Sequence, residues 1–173
     1  MNNTRDPQNA PVDVPNLPRV QLRTAADSDE ELLLKLFAST RSDELAALAW
    51  NPAQAELFAT MQYGIQRQNY KTLYPNARNE IILLDEQPIG RMLVDRSGND
   101  FLLVDIALLP EHRNQGIGGA LIKNLLHEAA SLFKPVVLQV FSYNPACHLY
   151  ERLGFSKTSE ENAYIEMKWN KPD

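Results

Sequence analysis

Apolar and polar residues alternate along several short stretches of the chain. A period of two residues is typical of strands that bury one face and expose the other. The clearest example is the last stretch, where apolar residues at every second position are separated by Tyr164, Glu166 and Lys168. The alternation predicts strands over residues 19–25 and 162–169, and strands over 80–85 and 88–95 are predicted on either side of the hairpin turn "DEQP".

Two further stretches, residues 101–109 and 135–141, are almost continuously apolar. Such runs are typical of strands that are covered on both faces. Between them, a helical period places five apolar residues on one face: Ile117, Leu121, Leu125, Ala129 and Leu132. Because strand–helix–strand connections are right-handed crossovers, we expect these two strands to pair in parallel.

Start signals indicate two helices in the first half of the chain. Asp27 is expected to cap a first helix that runs to about residue 39, and Asn51 followed by Pro52 is expected to open a second. The second helix carries apolar residues at a spacing of four, which predicts a buried stripe made of Leu57, Met61 and Ile65.

The domain organisation follows from where this periodicity begins. Residues 1–18 contain four prolines and show no period, so we expect a flexible N-terminal arm there. Residues 19–170 are expected to form a single domain, without internal repeats. The predicted fold class is α/β (α+β), with a mixed, mostly antiparallel central sheet of six to seven strands flanked by helices.

Composition narrows the function classes. The formal net charge of the 173-residue chain is −5, and Lys and Arg do not cluster, so no nucleic-acid partner is expected. No run approaches the ~20 apolar residues of a membrane span, so no membrane association is expected. The default expectation is a cytoplasmic protein, with which the single Cys147 is compatible.

A glycine-rich turn follows the strand at 101–109, in the stretch "ALLPEHRNQGIGGALIKNLL". The first turn of a helix has free N–H donors and a partial positive charge, and glycines let an anion approach them. The dinucleotide-binding spacing fails because its third glycine would fall on Leu121. The P-loop spacing fails because the glycine five positions after Gly116 or Gly118 would fall on Leu121 or Lys123. The turn therefore predicts a phosphate cradle of another kind.

The spacing Arg113-x-x-Gly116-x-Gly118 resembles the acyl-CoA-binding motif of the GCN5-related N-acetyltransferase (GNAT) superfamily. About thirty residues later, "NPACHLYERLGF" at 144–155 resembles the second signature of that family, an Asn-led helix that ends in Tyr-x-x-x-Gly-Phe. The order of helices and strands matches the family from about residue 19 to residue 169. The resemblance implies a GNAT-like acyl-CoA N-acyltransferase fold.

The resemblance also implies a cofactor site. Backbone amides around 115–119 would hold the pyrophosphate of CoA, with Arg113 beside it, and the strand at 106–109 would offer main-chain groups to the pantetheine arm. Asn144 is interpreted first as a helix cap and also as a contact for that arm. The implied cofactor-binding residues are Ile106, Ala107, Leu108, Arg113, Asn114, Gln115, Gly116, Ile117, Gly118, Gly119, Asn144 and Tyr150.

Three residues are candidates for catalysis. Tyr150 matches the tyrosine that the family commonly uses as general acid, although it also fits a stripe of core residues. Asp105 interrupts an apolar strand and is either a base or substrate anchor, or a structural hydrogen-bond acceptor. If alternation holds, it shares a face with Leu103 and Ala107. Glu44 is a candidate to meet a substrate ammonium, its alternative being a solvated helix start.

Weaker acceptor-site candidates are Gln62, Tyr63 and Gln66. The three histidines have no metal-ligand spacing, and no metal is expected. Adjacent Cys147 and His148 point about 100° apart on a helix, so they do not indicate a nucleophilic pair.

The resemblance therefore implies an acetyl-CoA-dependent N-acetyltransferase. It would act on a primary amine of a small molecule or peptide, by direct transfer in a ternary complex, as a monomer or homodimer. The alternative is a non-catalytic acyl-CoA-binding sensor or interaction module.

Overall fold

A mixed sheet with helices on both faces organises the chain. The computed structural model describes residues 11–41 and 51–172. In these residues the strands are β1 Val12–Val14, β2 Leu17–Thr24, β3 Arg78–Leu84, β4 Gln87–Asp95, β5 Phe101–Leu108, β6 Val136–Phe141, β7 Ser156–Glu161 and β8 Tyr164–Trp169. The α-helices are α1 Glu30–Thr40, α2 Pro52–Leu73, α3 Ile117–Ser131 and α4 Ala146–Arg152.

The spatial order of the strands is β1-β2-β3-β4-β5-β6-β8-β7. Every neighbouring pair is antiparallel except β5 and β6, which pair in parallel across the α3 crossover. The predicted parallel pair and the mixed, mostly antiparallel sheet are thus confirmed. The sheet has eight strands in the described residues where six to seven were expected, because β1 and β7 add an edge strand on each side.

Part of the predicted flexible arm is a strand. β1 pairs antiparallel with β2, and Gln21 Nε2 donates a hydrogen bond of 2.8 Å to Asp13 Oδ1. The expectation of a flexible arm over 1–18 is therefore wrong for residues 12–14 and 17–18, whereas residues 1–10 lie outside the described part. Prolines obscured this strand in the sequence, yet Pro11 and Pro15 flank β1 rather than lie in it, and Pro18 precedes the residues of β2 that pair with β3.

The two faces of the sheet carry separate apolar clusters. On one face, α3 and α4 pack against residues such as Ile82, Met92 and Leu103. On the other face, α1 and α2 pack against Ile81 and Leu83. We refer to these as the α3/α4 face and the α1/α2 face.

Helix α2 begins where predicted but buries a different stripe. Asn51 Oδ1 accepts a hydrogen bond of 2.9 Å from Gln54 N, which confirms the cap. The expected buried stripe is wrong: Leu57, Met61 and Ile65 are 65%, 58% and 52% exposed. The spacing of four correctly identifies one helix face but does not determine which face meets the sheet. That face carries Ala59 and Tyr63.

A β-bulge in β5 decides where Asp105 points. Leu93 on β4 lies opposite Asp105 and Val94 lies opposite Leu103, so Val104 has no partner on β4. The extra residue reverses the alternation. Leu103 is therefore buried on the α3/α4 face, whereas Asp105 and Ala107 face α1 and α2. The expectation that Asp105 shares a face with Leu103 is wrong, and the expectation that it shares one with Ala107 is confirmed.

The start of α1 depends on Asp29 rather than on Asp27. Residues Asp27–Asp29 form a single 3₁₀ turn, and α1 begins at Glu30. The buried Asp29 carboxylate accepts hydrogen bonds from Arg23 Nη1 and Nη2 at 2.7 and 2.6 Å, and from Ala26 N at 2.8 Å. These bonds, Arg23 first, lower the pKa of Asp29. The pair joins β2 to the helix that covers the α1/α2 face.

We predict that Asp29→Asn lowers the free energy of unfolding by about 1–3 kcal/mol, because it leaves the partly buried Arg23 guanidinium without a carboxylate. Since the folded pKa of Asp29 is lowered, its contribution is complete at pH values above the ordinary pKa of ~4 and is lost as the pH falls through the folded value. Urea titrations at pH 7 and pH 3 measure both effects.

The exposed Glu31→Gln, two residues further along the chain, is the matched control and should change stability by less than about 0.5 kcal/mol. Equal stability of Asp29→Asn and wild type at pH 7 would contradict the prediction.

Candidate active site

The sheet splits between β5 and β6. The two strands pair only over Phe101–Leu103 and Val136–Leu138, although β5 runs on to Leu108 and β6 to Phe141. Along its other edge β5 stays paired with β4 as far as Leu108. A wedge thus opens from Val104 onward, and the main chain of β5 on that side has no strand partner.

Three predicted cofactor-binding residues lie along this open edge. The side chains of Ile106 and Leu108 pack on the α3/α4 face, and Ala107 packs on the α1/α2 face. Only their main-chain groups are therefore directed along the wedge. One of these is already used, because Leu108 O accepts a hydrogen bond of 2.8 Å from Arg113 Nε.

The glycine turn leads from the end of β5 into α3. Gly116 caps the helix with φ of 83°, a left-handed conformation that favours glycine, and Asn114 has φ of 58°. Within the described residues, the amides of Ile117, Gly118 and Gly119 donate no hydrogen bond, and no side chain caps the helix. Three free donors and the positive end of the helix dipole thus point into the same space, which is the requirement for an anion site.

Space above this helix start is open at two of the three glycines. A Cβ built on Gly116 would meet nothing within 4 Å, and one on Gly118 would meet only Leu108 Cδ1, at 3.9 Å. At Gly119 a Cβ would lie 3.4 Å from Leu149 Cδ1, so this glycine allows the close approach of α4. The first two positions are therefore not needed for packing within the protein.

Arg113 ties the turn to its surroundings. Besides Leu108 O, its guanidinium contacts Ser39 at the end of α1, where Nη2 donates to Oγ at 2.7 Å. Gln115 Nε2 donates to Glu111 O at 2.7 Å within the turn. Both side chains thus stabilise the shape of the turn, Arg113 from a partly buried position and Gln115 at the surface, and the placement of Arg113 beside a pyrophosphate stays a prediction.

An ion pair lies where the wedge meets the α1/α2 face. Arg91 on β4 donates from Nη2 to Asp105 Oδ2, and its guanidinium carbon lies 5.5 Å from the ring centroid of Tyr70 on α2. Burial raises the pKa of Tyr70, and the negative charge of Asp105 raises it further. Asp105 Oδ1 accepts no hydrogen bond from the described residues and remains available.

Tyr150 approaches the same carboxylate from the opposite side of the sheet. Its ring is 8% exposed and packs edge-to-face against Phe155, with centroids 5.7 Å apart. Burial raises the pKa of the Tyr150 phenol, and Asp105 raises it further. The phenol is therefore protonated at neutral pH. Of the residues predicted to act in catalysis, Tyr150 and Asp105 are thus close enough for the charge of one to affect the pKa of the other.

The far end of the wedge is polar and aromatic. Asn144 Oδ1 accepts a hydrogen bond of 2.9 Å from Ala146 N, which confirms its interpretation as a helix cap. Beside it, the ring centroid of Phe141 lies 4.0 Å from that of Tyr164 and 5.2 Å from that of Tyr143.

A cleft of about 320 Å³ lies next to the ion pair, on the α1/α2 face. It is bordered by residues from the start of α1, from α2 and from β4, among them Glu30, Tyr63, Arg67, Tyr70, Lys71 and Arg91. Tyr63, a weaker sequence candidate, thus borders this cleft, whereas Gln62 and Gln66 do not. Glu44 lies outside the described residues.

Sequence reasoning missed Tyr70 and Arg91. A usable signal existed for Arg91, because it is a charge within the apolar run "IGRMLV", just as Asp105 is in "FLLVDIALL". Tyr70 carried no signal, because its place depends on which face α2 turns to the sheet.

Two searches gave negative results within residues 11–41 and 51–172. They contain no group of three or more His, Cys, Asp or Glu side chains placed to hold a metal ion. Nor do they contain a helix that is both long and apolar enough to span a membrane.

Comparison with known proteins relates this architecture to a family. The model of the acetyltransferase (GNAT) domain matches residues 77–157. The PaiA N-acetyltransferase of Thermoplasma acidophilum, solved in complex with coenzyme A, superposes with a TM-score of 0.66 at 16% identity, covering 88% of this chain and 99% of that one. A GNAT acetyltransferase from Elizabethkingia anophelis, with acetyl-CoA bound, gives a TM-score of 0.58 at 17% identity, covering 88% and 98%.

A third structure matches a shorter part more closely in sequence. Nourseothricin acetyltransferase is 27% identical over 57% of this chain and 67% of its own, with a TM-score of 0.50. The matched family model spans the glycine turn and Tyr150, which lie in the two stretches that carried the resemblance in the sequence. Residues 77–157, slightly less than half of the chain, thus match the GNAT acetyltransferase domain, and the chain shares its fold with solved GNAT acetyltransferases.

Proposed function

We propose that the protein is an acetyl-CoA-dependent N-acetyltransferase that acts on a primary amine by direct transfer in a ternary complex. The observation that carries the proposal is the juxtaposition of three free helix-start amides, at residues 117–119, with a wedge that leads to Tyr150 and Asp105. An anion site, a channel for a linear arm and a proton donor next to a carboxylate are what this reaction requires.

The cosubstrate site follows from the same groups. The pyrophosphate would lie on the amides of the glycine turn, and the pantetheine arm would run along the open edge of β5 at 106–108. The CoA and acetyl-CoA bound in the two fold relatives support this proposal. Gly116 and Gly118 leave the space that such a ligand needs.

Tyr150 and Asp105 have different roles in the acetyl transfer. The neutral amine attacks the thioester carbonyl carbon, a C–N bond forms, and the C–S bond breaks. The Tyr150 phenol, protonated because burial raises its pKa, gives its proton to the departing thiolate. Asp105 Oδ1, which is free of Arg91, accepts an N–H of the attacking amine and anchors it. The proton lost from nitrogen restores the phenol, so that the products are the amide and free CoA thiol.

Thiol release over a panel of amines, peptides and aminoglycosides tests the proposal. Acceptor-dependent release of CoA thiol is the expected result. Tight CoA binding without release on any acceptor would instead favour a non-catalytic acyl-CoA-binding module.

We predict that Gly118→Val weakens CoA binding by about tenfold or more, because its side chain fills the space over the free amides. Calorimetric titration with CoA measures the effect. Gly64→Val is the matched control: this glycine lies on exposed α2, where an added Cβ also meets nothing within 4 Å. Unchanged CoA affinity in a folded Gly118→Val protein would refute the anion site.

We predict that Tyr150→Phe lowers kcat by ~10²-fold or more while CoA affinity holds, because the ring still packs on Phe155 but no longer donates a proton. Steady-state kinetics at a pH where chemistry limits the rate give the measurement. The exposed Tyr143→Phe is the control and should stay within about twofold of wild type. A normal kcat for Tyr150→Phe would leave Tyr150 with a packing role only.

We predict that Asp105→Asn lowers both kcat/KM and the thermal unfolding midpoint. The amine loses its anchor, and the partly buried Arg91 loses its carboxylate partner. Kinetics are measured well below the midpoint of the variant. Early melting with normal turnover would show that Asp105 serves Arg91 alone, and it would move the search for an amine contact to Glu44.

A further inference from the structure

The cleft on the α1/α2 face contains a cation that the proposed reaction does not use. Arg91 is 8% exposed and borders the cleft. Only its Nη2 donates a hydrogen bond within the described residues, to Asp105 Oδ2. Its Nε and Nη1 have no acceptor there. These two nitrogens are not among the buried unsatisfied atoms of the described residues, so a ligand or water in the cleft can accept their hydrogen bonds.

The other charges of the cleft do not supply that acceptor. Glu30 is engaged by Arg67 at 3.2 Å, and Arg67 also lies 4.0 Å from the exposed Asp27. Lys71 borders the cleft from the next turn of α2 and forms no ion pair with the described residues. Two cations, one deep and one at the rim, therefore lack an anionic partner on the cleft side.

We infer that this cleft is a carboxylate subsite, so that the acceptor is an amine that also carries a carboxylate. The inference rests on the proposed function and specifies its substrate class. The amine end would lie at Asp105 Oδ1, and the carboxylate would accept hydrogen bonds from the free face of the Arg91 guanidinium, with Lys71 adding attraction at the rim. Tyr70 stacks on the guanidinium and holds it in this orientation.

Carboxylate fits better than phosphate for two reasons. A guanidinium presents two parallel N–H donors that match the two oxygens of a planar carboxylate. Asp105 already offsets the charge of Arg91, which favours a singly charged anion over a phosphate dianion. The cleft is also adjacent to the carboxylate that anchors the amine, so a short spacer connects the two ends of such a substrate.

Matched pairs of acceptors test the inference. The ω-amino acids from glycine to 6-aminohexanoate are compared with their primary amides, which keep the amine and remove the negative charge. For at least one chain length, kcat/KM of the acid should exceed that of its amide by about tenfold or more. Equal or faster turnover of every amide would overturn the inference while the acetyltransferase activity stands.

Two variants test whether the preference for the acid over its amide depends on the cleft. Arg91→Lys keeps a cation beside Asp105 but loses the paired donors, and Lys71→Met removes the rim charge. Each should lower the acid-to-amide ratio, mainly through KM for the acid. Lys35→Met, on the exposed side of α1 away from the cleft, should leave the ratio unchanged. An unaltered ratio in folded Lys71→Met and Arg91→Lys proteins would place carboxylate recognition elsewhere and overturn the assignment.

A binding measurement keeps the inference testable if no amine is turned over. Succinate should shift the Arg91 Nε–Hε resonance in ¹H–¹⁵N spectra, whereas succinamide should not. The resonance is assigned by its loss in Arg91→Lys. A shift with succinate but no thiol release from any amine would support the subsite and count against the proposed reaction. No shift at saturating succinate would count against the subsite itself.

Discussion

The ion pair between Arg91 and Asp105 is the constraint around which the site is arranged. Each is a charge in the middle of an apolar run of its strand, and each would be costly to bury alone. The β4–β5 register places them on diagonal positions of the same face, where long side chains can meet. Any slip between these strands would leave two unpaired charges beneath α2. The register that positions the cleft, the wedge and the glycine turn is thus the one that keeps this pair together.

The bulge at Val104 makes this arrangement possible. With regular alternation, Asp105 would share the face of Leu103, which is buried against α3 and α4. The extra residue leaves Leu103 on the α3/α4 face and places Asp105 on the α1/α2 face. On the neighbouring strand, Gly90 lies opposite Leu108, and a Cβ there would lie 2.4 Å from Ala107 O, so only glycine permits the backbones to pack this closely at the end of β5.

Features that depend on residues close together in the chain could be predicted from the sequence. Features that depend on the packing of distant elements were missed. The glycine turn, the Asn51 and Asn144 caps and the parallel pair depend on residues close together in the chain, so spacing sufficed. The bulge and the exposed Leu57 stripe depend on how distant elements pack, and periodicity along one element does not contain that information. The partnership of Arg91 with Asp105 could have been proposed, because two opposite charges within apolar runs of adjacent antiparallel strands need each other.

The short pairing between β5 and β6 has a mechanical consequence. In the described residues, five strands lie on one side of this junction and three on the other, and only three residue pairs connect the two parts of the sheet. Three pairs resist twisting less than the six pairs between β6 and β8, and twisting changes the angle between β5 and β6. The stiffness of the three pairs near Phe101 therefore determines how far apart β5 and β6 lie at their other ends.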